Sequence, residues 1–233
     1  MDPAHRFAEH IATHVPGDSR PLPPLDELLA LLGAAFDLPD PTDPSGDAVV
    51  RRVRTELDDL ADQCEPSFDS ILRVLFASGR LRGNSIDYGD PRNSYLQHVL
   101  RRGVGIPITL SVCAMEVGRR LGAAVEGIGL PGHFVVRCGG VYADPFHGGR
   151  IIRADDLEDE WRRLTGMRTA LDARLLAPVH PRSLLVRVLN NLKNTFVALD
   201  DPASLRVLAT LRGAFPELHG ERAEHARWLR FWN

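Results

Sequence analysis

The residues of this 233-residue chain best suited to chemistry gather in its middle third. His133 stands in "LPGHFVVRC" and Asp144 in "VYADPF", each beside a proline-marked corner. A histidine backed by a carboxylate is what a general base requires, because the carboxylate fixes the imidazole tautomer and steadies the charged form. A lone His near an Asp is also a common scaffold pair, so the pattern alone leaves catalysis and architecture evenly matched. The nucleophile such a base would serve belongs in the first turn of a helix, where unpaired N–H groups lower a thiol's pKa and hold an oxyanion. In "GIPITLSVCAMEVGRRLG" that turn holds Pro107, which attacks nothing. As architecture the proline is ordinary, since its fixed φ and missing N–H suit the first helical position. Thr109 and Ser111 bring hydroxyls near the helix start, and Thr109 is the preferred attacking group, against the commoner use of such hydroxyls as caps. Cys113 lies roughly 9 Å further along the axis and continues an apolar stripe with Leu110, Ala114, Val117 and Leu121, so it reads as core.

The elements around the pair must bring it together. Cys138, Gly139, Gly140 and Val141 spell a hairpin with a two-residue glycine loop, since both central residues of a primed turn need positive φ. Pairing Cys138 with Val141 sets Val135 opposite Asp144, places His133, Val135, Tyr142, Asp144 and Phe146 on one face, and leaves His133 diagonal to Asp144. Diagonal neighbours are roughly 7–8 Å apart at the backbone, which a hydrogen bond between these side chains can close. Cys138 then falls on the opposite face, so a metal set of His133, Cys138, Asp144 and His147 is ranked last. No metal and no cofactor are expected.

The rest of the chain reads as mostly helical. Pro16–Pro24 and "DLPDPTDPSGD" are loops around a short apolar helix, "LDELLALLGAAF". "DAVVRRVRTELDDLADQC" and "SFDSILRVLFASGRL" follow with helical spacing, then "DPRNSYLQHVL" with Asn93 or Ser94 as N-cap. "AVEGIGL", "HFVVRC" and "VYADPF" are strands, "RADDLEDEWRRL" returns to helix, and two helices after Pro181 form a hairpin. The closing "RWLRFWN" is an aromatic segment that packs on the body or on another subunit.

A net charge of -3 supplies no basic surplus for nucleic acid. Three scattered cysteines in no CxxC pattern argue against disulfides and structural zinc, and a cytoplasmic location fits them. No window approaches the roughly 20 apolar residues of a membrane span, and no signal peptide or membrane contact is expected. The expected fold class is α+β, with a helical N-terminal region over 1–90, a core with a small antiparallel sheet over 91–175 and a helical cap over 176–233, acting as one compact unit.

"YGDPRNSYLQHVLRRGVGIPITLSVCAMEVGRRLGAAVEGIGLPGHFVVR" followed by "YADPFHGG" resembles the SirB-type branch of the transglutaminase-like superfamily. The likeness is close over about Ser67 to Arg150, and "VLNNLKNTFVALDD" resembles the tetratricopeptide-like tail of that branch. The resemblance implies a cysteine-protease-like core with a papain-like Cys-His-Asp triad, in which His133 and Asp144 occupy the last two positions and the cysteine position falls at or beside Pro107. The sequence departs from the triad there, so the expected function is binding of an amide or peptide-like small molecule, or of a protein partner, in the old cleft. The alternative is a hydrolase or acyl/amide transferase that uses His133 and Asp144 as a general base. Arg92, Asn93, Gly132, Phe146 and His147 are the substrate-binding candidates that the resemblance gathers around the cleft.

Overall fold

The helical periods of the first hundred residues become a stack of helices in the computed structural model, which describes residues 1–14, 21–38 and 42–221. Helix α1 (Pro3–Ala12) starts where the Asp2 carboxylate accepts from the His5 amide, and α2 (Leu25–Phe36) is buried along nearly its whole length. Helix α3 (Asp47–Asp62) shows the two-sided pattern its spacing predicts, with Val49, Val53, Leu57 and Leu60 buried. Helix α4 (Phe68–Leu72) is capped by Ser67 and widens into a π-type turn over Arg73–Ala77. Two short strands, β1 (Arg82–Gly83) and β2 (Val104–Gly105), pair in parallel on either side of α5 (Leu96–Arg102).

Helix α6 (Pro107–Leu121) is the hub, and its apolar residues join the main core. It opens on Pro107 and stops at Gly122, whose φ of 71° is the left-handed conformation that glycine adopts freely. Four antiparallel strands follow in sequential order: β3 (Glu126–Ile128), β4 (Val135–Cys138), β5 (Val141–Asp144) and β6 (Arg150–Ile152). The register expected from the glycine turn holds: Cys138 faces Val141, and Gly139 and Gly140 take φ of 55° and 84°. Val136 and Ala143 point into the main core, whereas Val135, Tyr142 and Ile152 form a second cluster with Leu157 and Trp161 of α7 (Leu157–Thr165). Helices α8 (Pro181–Ala198) and α9 (Pro202–Gly213) pack against one another. The main core runs without a break from Phe7 to Leu218, so the last helices bury their apolar faces in the same interior as the first.

The local differences have physical causes. Neither Asn93 nor Ser94 caps α5: the Asp90 carboxylate caps a 3-10 turn at Pro91–Asn93, Tyr95 leads into α5 without a side-chain cap, and Asn93 is used elsewhere. Strand β6 has only three residues, and Ile151 is exposed, so its apolar pattern is too short to stand out. The proline-rich segments fall partly, and "RWLRFWN" wholly, outside the described residues.

The family-specific core in its helical setting

His133 sits two residues before β4, on a turn held from several sides. Its own amide donates to the Leu130 carbonyl, Trp161 Nε1 of α7 donates to the Pro131 carbonyl at 2.9 Å, and Arg187 Nη2 of α8 donates to the Leu130 and His133 carbonyls at 2.6 and 3.2 Å. Gly132 supplies the positive φ, 69°, that bends this turn. Asp144 ends β5 fully buried. Its Oδ1 accepts the amides of Phe146 and His147, which fold the chain into a tight corner, and its Oδ2 faces His133 Nε2 at 2.8 Å and His147 Nδ1 at 2.7 Å.

These contacts decide protonation. Burial on its own would raise the Asp144 pKa, but hydrogen bonds and charge from His133 and then His147 outweigh it, and the carboxyl is held below its ordinary value. An ionised Asp144 only accepts, so the ring nitrogens that face it carry the protons. In neutral His133 the proton is therefore on Nε2, and Nδ1, which has no hydrogen-bond partner among the described residues, keeps its lone pair. That is the tautomer of a general base.

A cavity of about 190 Å³ opens beside it. His133, Gly132 and Phe134 line one side, Pro107 and Ile108 at the start of α6 another, and Tyr88, Arg187 and Asn191 complete it. Pro107, in the first turn of α6, thus lines the same cavity as His133.

The other expected residues are placed differently. Thr109 is fully buried and does not line the cavity; its hydroxyl donates to the Asn93 carbonyl at 2.7 Å and accepts from the Ile106 amide, a capping arrangement. Asn93 is buried too, and its side chain ties the Asn84–Tyr88 loop down, donating to the Asp87 carbonyl and accepting from Asn84 Nδ2. Arg92 turns to Asp90 and stays largely exposed. Phe146 packs edge-on against Tyr88, the cavity residue, with ring centroids 6.0 Å apart, and its carbonyl accepts the Gly83 amide so closely that a Cβ on Gly83 would sit 2.5 Å from it. Cys113 is sealed in the core, where burial drives its thiol up to about 12. His133, Asp144 and His147 are the one His/Cys/Asp/Glu trio among the described residues whose ligating atoms all lie within 4.8 Å of one another, a donor set suited to a divalent cation, and Cys138 is not part of it.

Three cavity residues were not foreseen: Tyr88, Arg187 and Asn191. For the last two a signal exists. In "SLLVRVLNNLKNTF" an arginine and an asparagine four residues apart share one helix face beside an apolar stripe, where an exposed face would carry mixed charges.

The family model described as "Transglutaminase-like superfamily" covers residues 46–190. The chain belongs to the transglutaminase-like superfamily. Within it, a UPF0162 protein of Xylella fastidiosa is 35% identical over 75% of this chain and 68% of its own length. A UPF0162 protein of Pseudomonas aeruginosa is 31% identical over 72% of this chain and 60% of its own. A mouse protein named F-box only protein 21 is 32% identical over 53% of this chain but only 21% of its own length. No solved structure matches the chain. The match to this transglutaminase-like family takes in α3 through the first half of α8, so Arg187 lies within it.

Proposed function

We propose that this transglutaminase-like chain binds an amide or peptide-like ligand, or a peptide segment of a protein partner, in the superfamily cleft without forming a covalent bond to it. Pro107 beside His133 in one open cavity carries this reading: the space for a ligand is kept while the attacking side chain is not there. The sealed Cys113 and the capping Thr109 offer no substitute. The chain is read as a SirB-type member whose α8–α9 pair is the tetratricopeptide-like tail, acting in a reducing cytosol that suits its three free cysteines. No described helix is long and apolar enough to cross a membrane.

A second reading is favoured by the His133 tautomer. With Nε2 held by Asp144 and Nδ1 unpartnered, His133 is equipped to take a proton from a water or an amine and so to hydrolyse or transfer an amide directly. One experiment separates the two. The purified chain is incubated with a blocked glutaminyl peptide and hydroxylamine, and both binding and hydroxamate formation are measured. Binding without hydroxamate, weakened by His133→Ala, is the expected result. Hydroxamate produced at a rate that His133→Ala abolishes overturns the binding-only reading and establishes the general-base one.

A further inference from the structure

Arg187 is used incompletely by the fold. Its Nη2 makes both of its hydrogen bonds, to the Leu130 and His133 carbonyls, and the guanidinium lies over the Phe134 ring, 5.4 Å from its centroid. Among the described residues, Nε and Nη1 donate to no acceptor and no carboxylate lies within ion-pair distance of this half-buried cation. Three other buried or half-buried arginines are paired with carboxylates: Arg120 with Asp26 and Glu116, Arg182 with Glu217, Arg102 with Asp90. A cation taken partly out of water without a counter-charge is costly, so the position calls for one.

The surroundings keep room for it. Arg187 lines the His133 cavity and also a larger one, of about 490 Å³, which Gly129 lines as well. Gly129 makes that placement possible, since a Cβ there would stand 2.3 Å from Arg187 Nη1. Asn191, one helical turn along α8, adds its amide to the same cavity wall as Arg187. Burial also lowers the Arg187 pKa, in keeping with a cation whose partner is not supplied by the protein.

We propose that the ligand of the His133 cavity carries a compact oxyanion, a carboxylate or a phosphate, and that an N–H group of Arg187 left unused by the fold donates to it while the Asn191 side-chain amide donates alongside. This rests on the cleft being a ligand site, as proposed above. Arg187 thereby couples recognition to the dyad, because the same guanidinium holds the carbonyl of His133. Donation from a charged guanidinium N–H suits carboxylate and phosphate oxygens, because charge-assisted hydrogen bonds are the strong ones.

Calorimetric titration of the full chain with N-acetylglycine, its neutral analogue N-acetylglycinamide, and inorganic phosphate tests this. The acid or phosphate is expected to bind at least tenfold more tightly than the neutral amide, with added salt weakening the charged probe. Arg187→Gln is expected to erase the preference, and Gly129→Ala, which crowds Nη1 without removing charge, to reduce it. Binding of the acid without phosphate assigns a carboxylate, and the reverse assigns a phosphate. Equal binding of acid and amide, unchanged by Arg187→Gln, overturns the oxyanion site and leaves the cleft reading standing. Failure of all three probes overturns the oxyanion site, and failure of the blocked glutaminyl peptide as well overturns the cleft reading. The comparison of acid and phosphate with the neutral amide needs only the wild-type chain, so it decides the matter even where Arg187→Gln disturbs the His133 turn.

Discussion

Asp144 is the residue on which the site depends, since four hydrogen bonds converge on one buried carboxylate. Asp144→Asn keeps the shape but turns an amide N–H₂ toward donors, so a loss of about 1–3 kcal/mol at pH 7 is expected in chemical denaturation. The pH dependence follows from the lowered pKa. A depressed carboxylate contributes its stability fully above the ordinary aspartate value of 3.8 and loses it as pH falls through the folded value. The wild-type chain is therefore expected to weaken below about pH 4 more steeply than Asp144→Asn; identical acid limbs would remove this role. Pro107 makes a second residue-level test. Pro107→Cys places a thiol at a helix start lining the His133 cavity, and rapid alkylation by chloroacetamide, slowed by adding His133→Ala, is expected. Native Cys113 should resist the same reagent, because it is fully buried and its thiol pKa is about 12. The His-Asp pair and the inert proline were legible from residue type and the glycine turn. Thr109 was not placed correctly by its hydroxyl alone, because its bond to the Asn93 carbonyl joins two segments distant in sequence.

Among the elements, the β4–β5 hairpin sets the dyad's geometry through its turn. Gly140, at φ 84°, meets no neighbouring atom that a Cβ would strike, so Gly140→Ala tests backbone strain alone. A loss of roughly 1–2 kcal/mol is expected from thermal melts, with the fold retained. Helix α6 is fixed at its other end by a buried charge cluster: Asp26 of α2 is fully buried, paired with Arg120 at 2.6 Å and Arg119 at 3.3 Å, and Glu116 is raised by burial and by Asp26 against the pull of both arginines. Arg120→Met strips the closest partner and is expected to cost roughly 3–5 kcal/mol, far more than an exposed ion pair would. This cluster was invisible in sequence, since Asp26 and Arg120 belong to helices whose adjacency no local pattern encodes. The α2, α3 and α6 helices themselves were legible because each carries a long apolar period of twelve residues or more, whereas three-residue β6 offers too little alternation to detect.

For the whole molecule, the closing helices do more than cover the core. Arg182 of α8 reaches the Ile11 and His14 carbonyls and Glu217, tying both ends of the described chain together, and Arg187 of the same helix supports the His133 turn. With one apolar core shared from α1 to α9, calorimetry is expected to show a single unfolding transition; two separated transitions would contradict the shared core. The α+β class and the helical cap could be anticipated from the change of period along the sequence. That the cap would line the cleft could not, because helix packing is set by tertiary contacts. The most direct test of the central claim is a titration of the wild-type chain with N-acetylglycine, followed by NMR at the His133 ring nitrogens and the Ile108 amide. The two residues line one cavity, so saturable shifts of both, with no covalent adduct by mass spectrometry, are predicted. If neither moves with this probe or with the blocked glutaminyl peptide, the cleft is not a ligand site and the account fails.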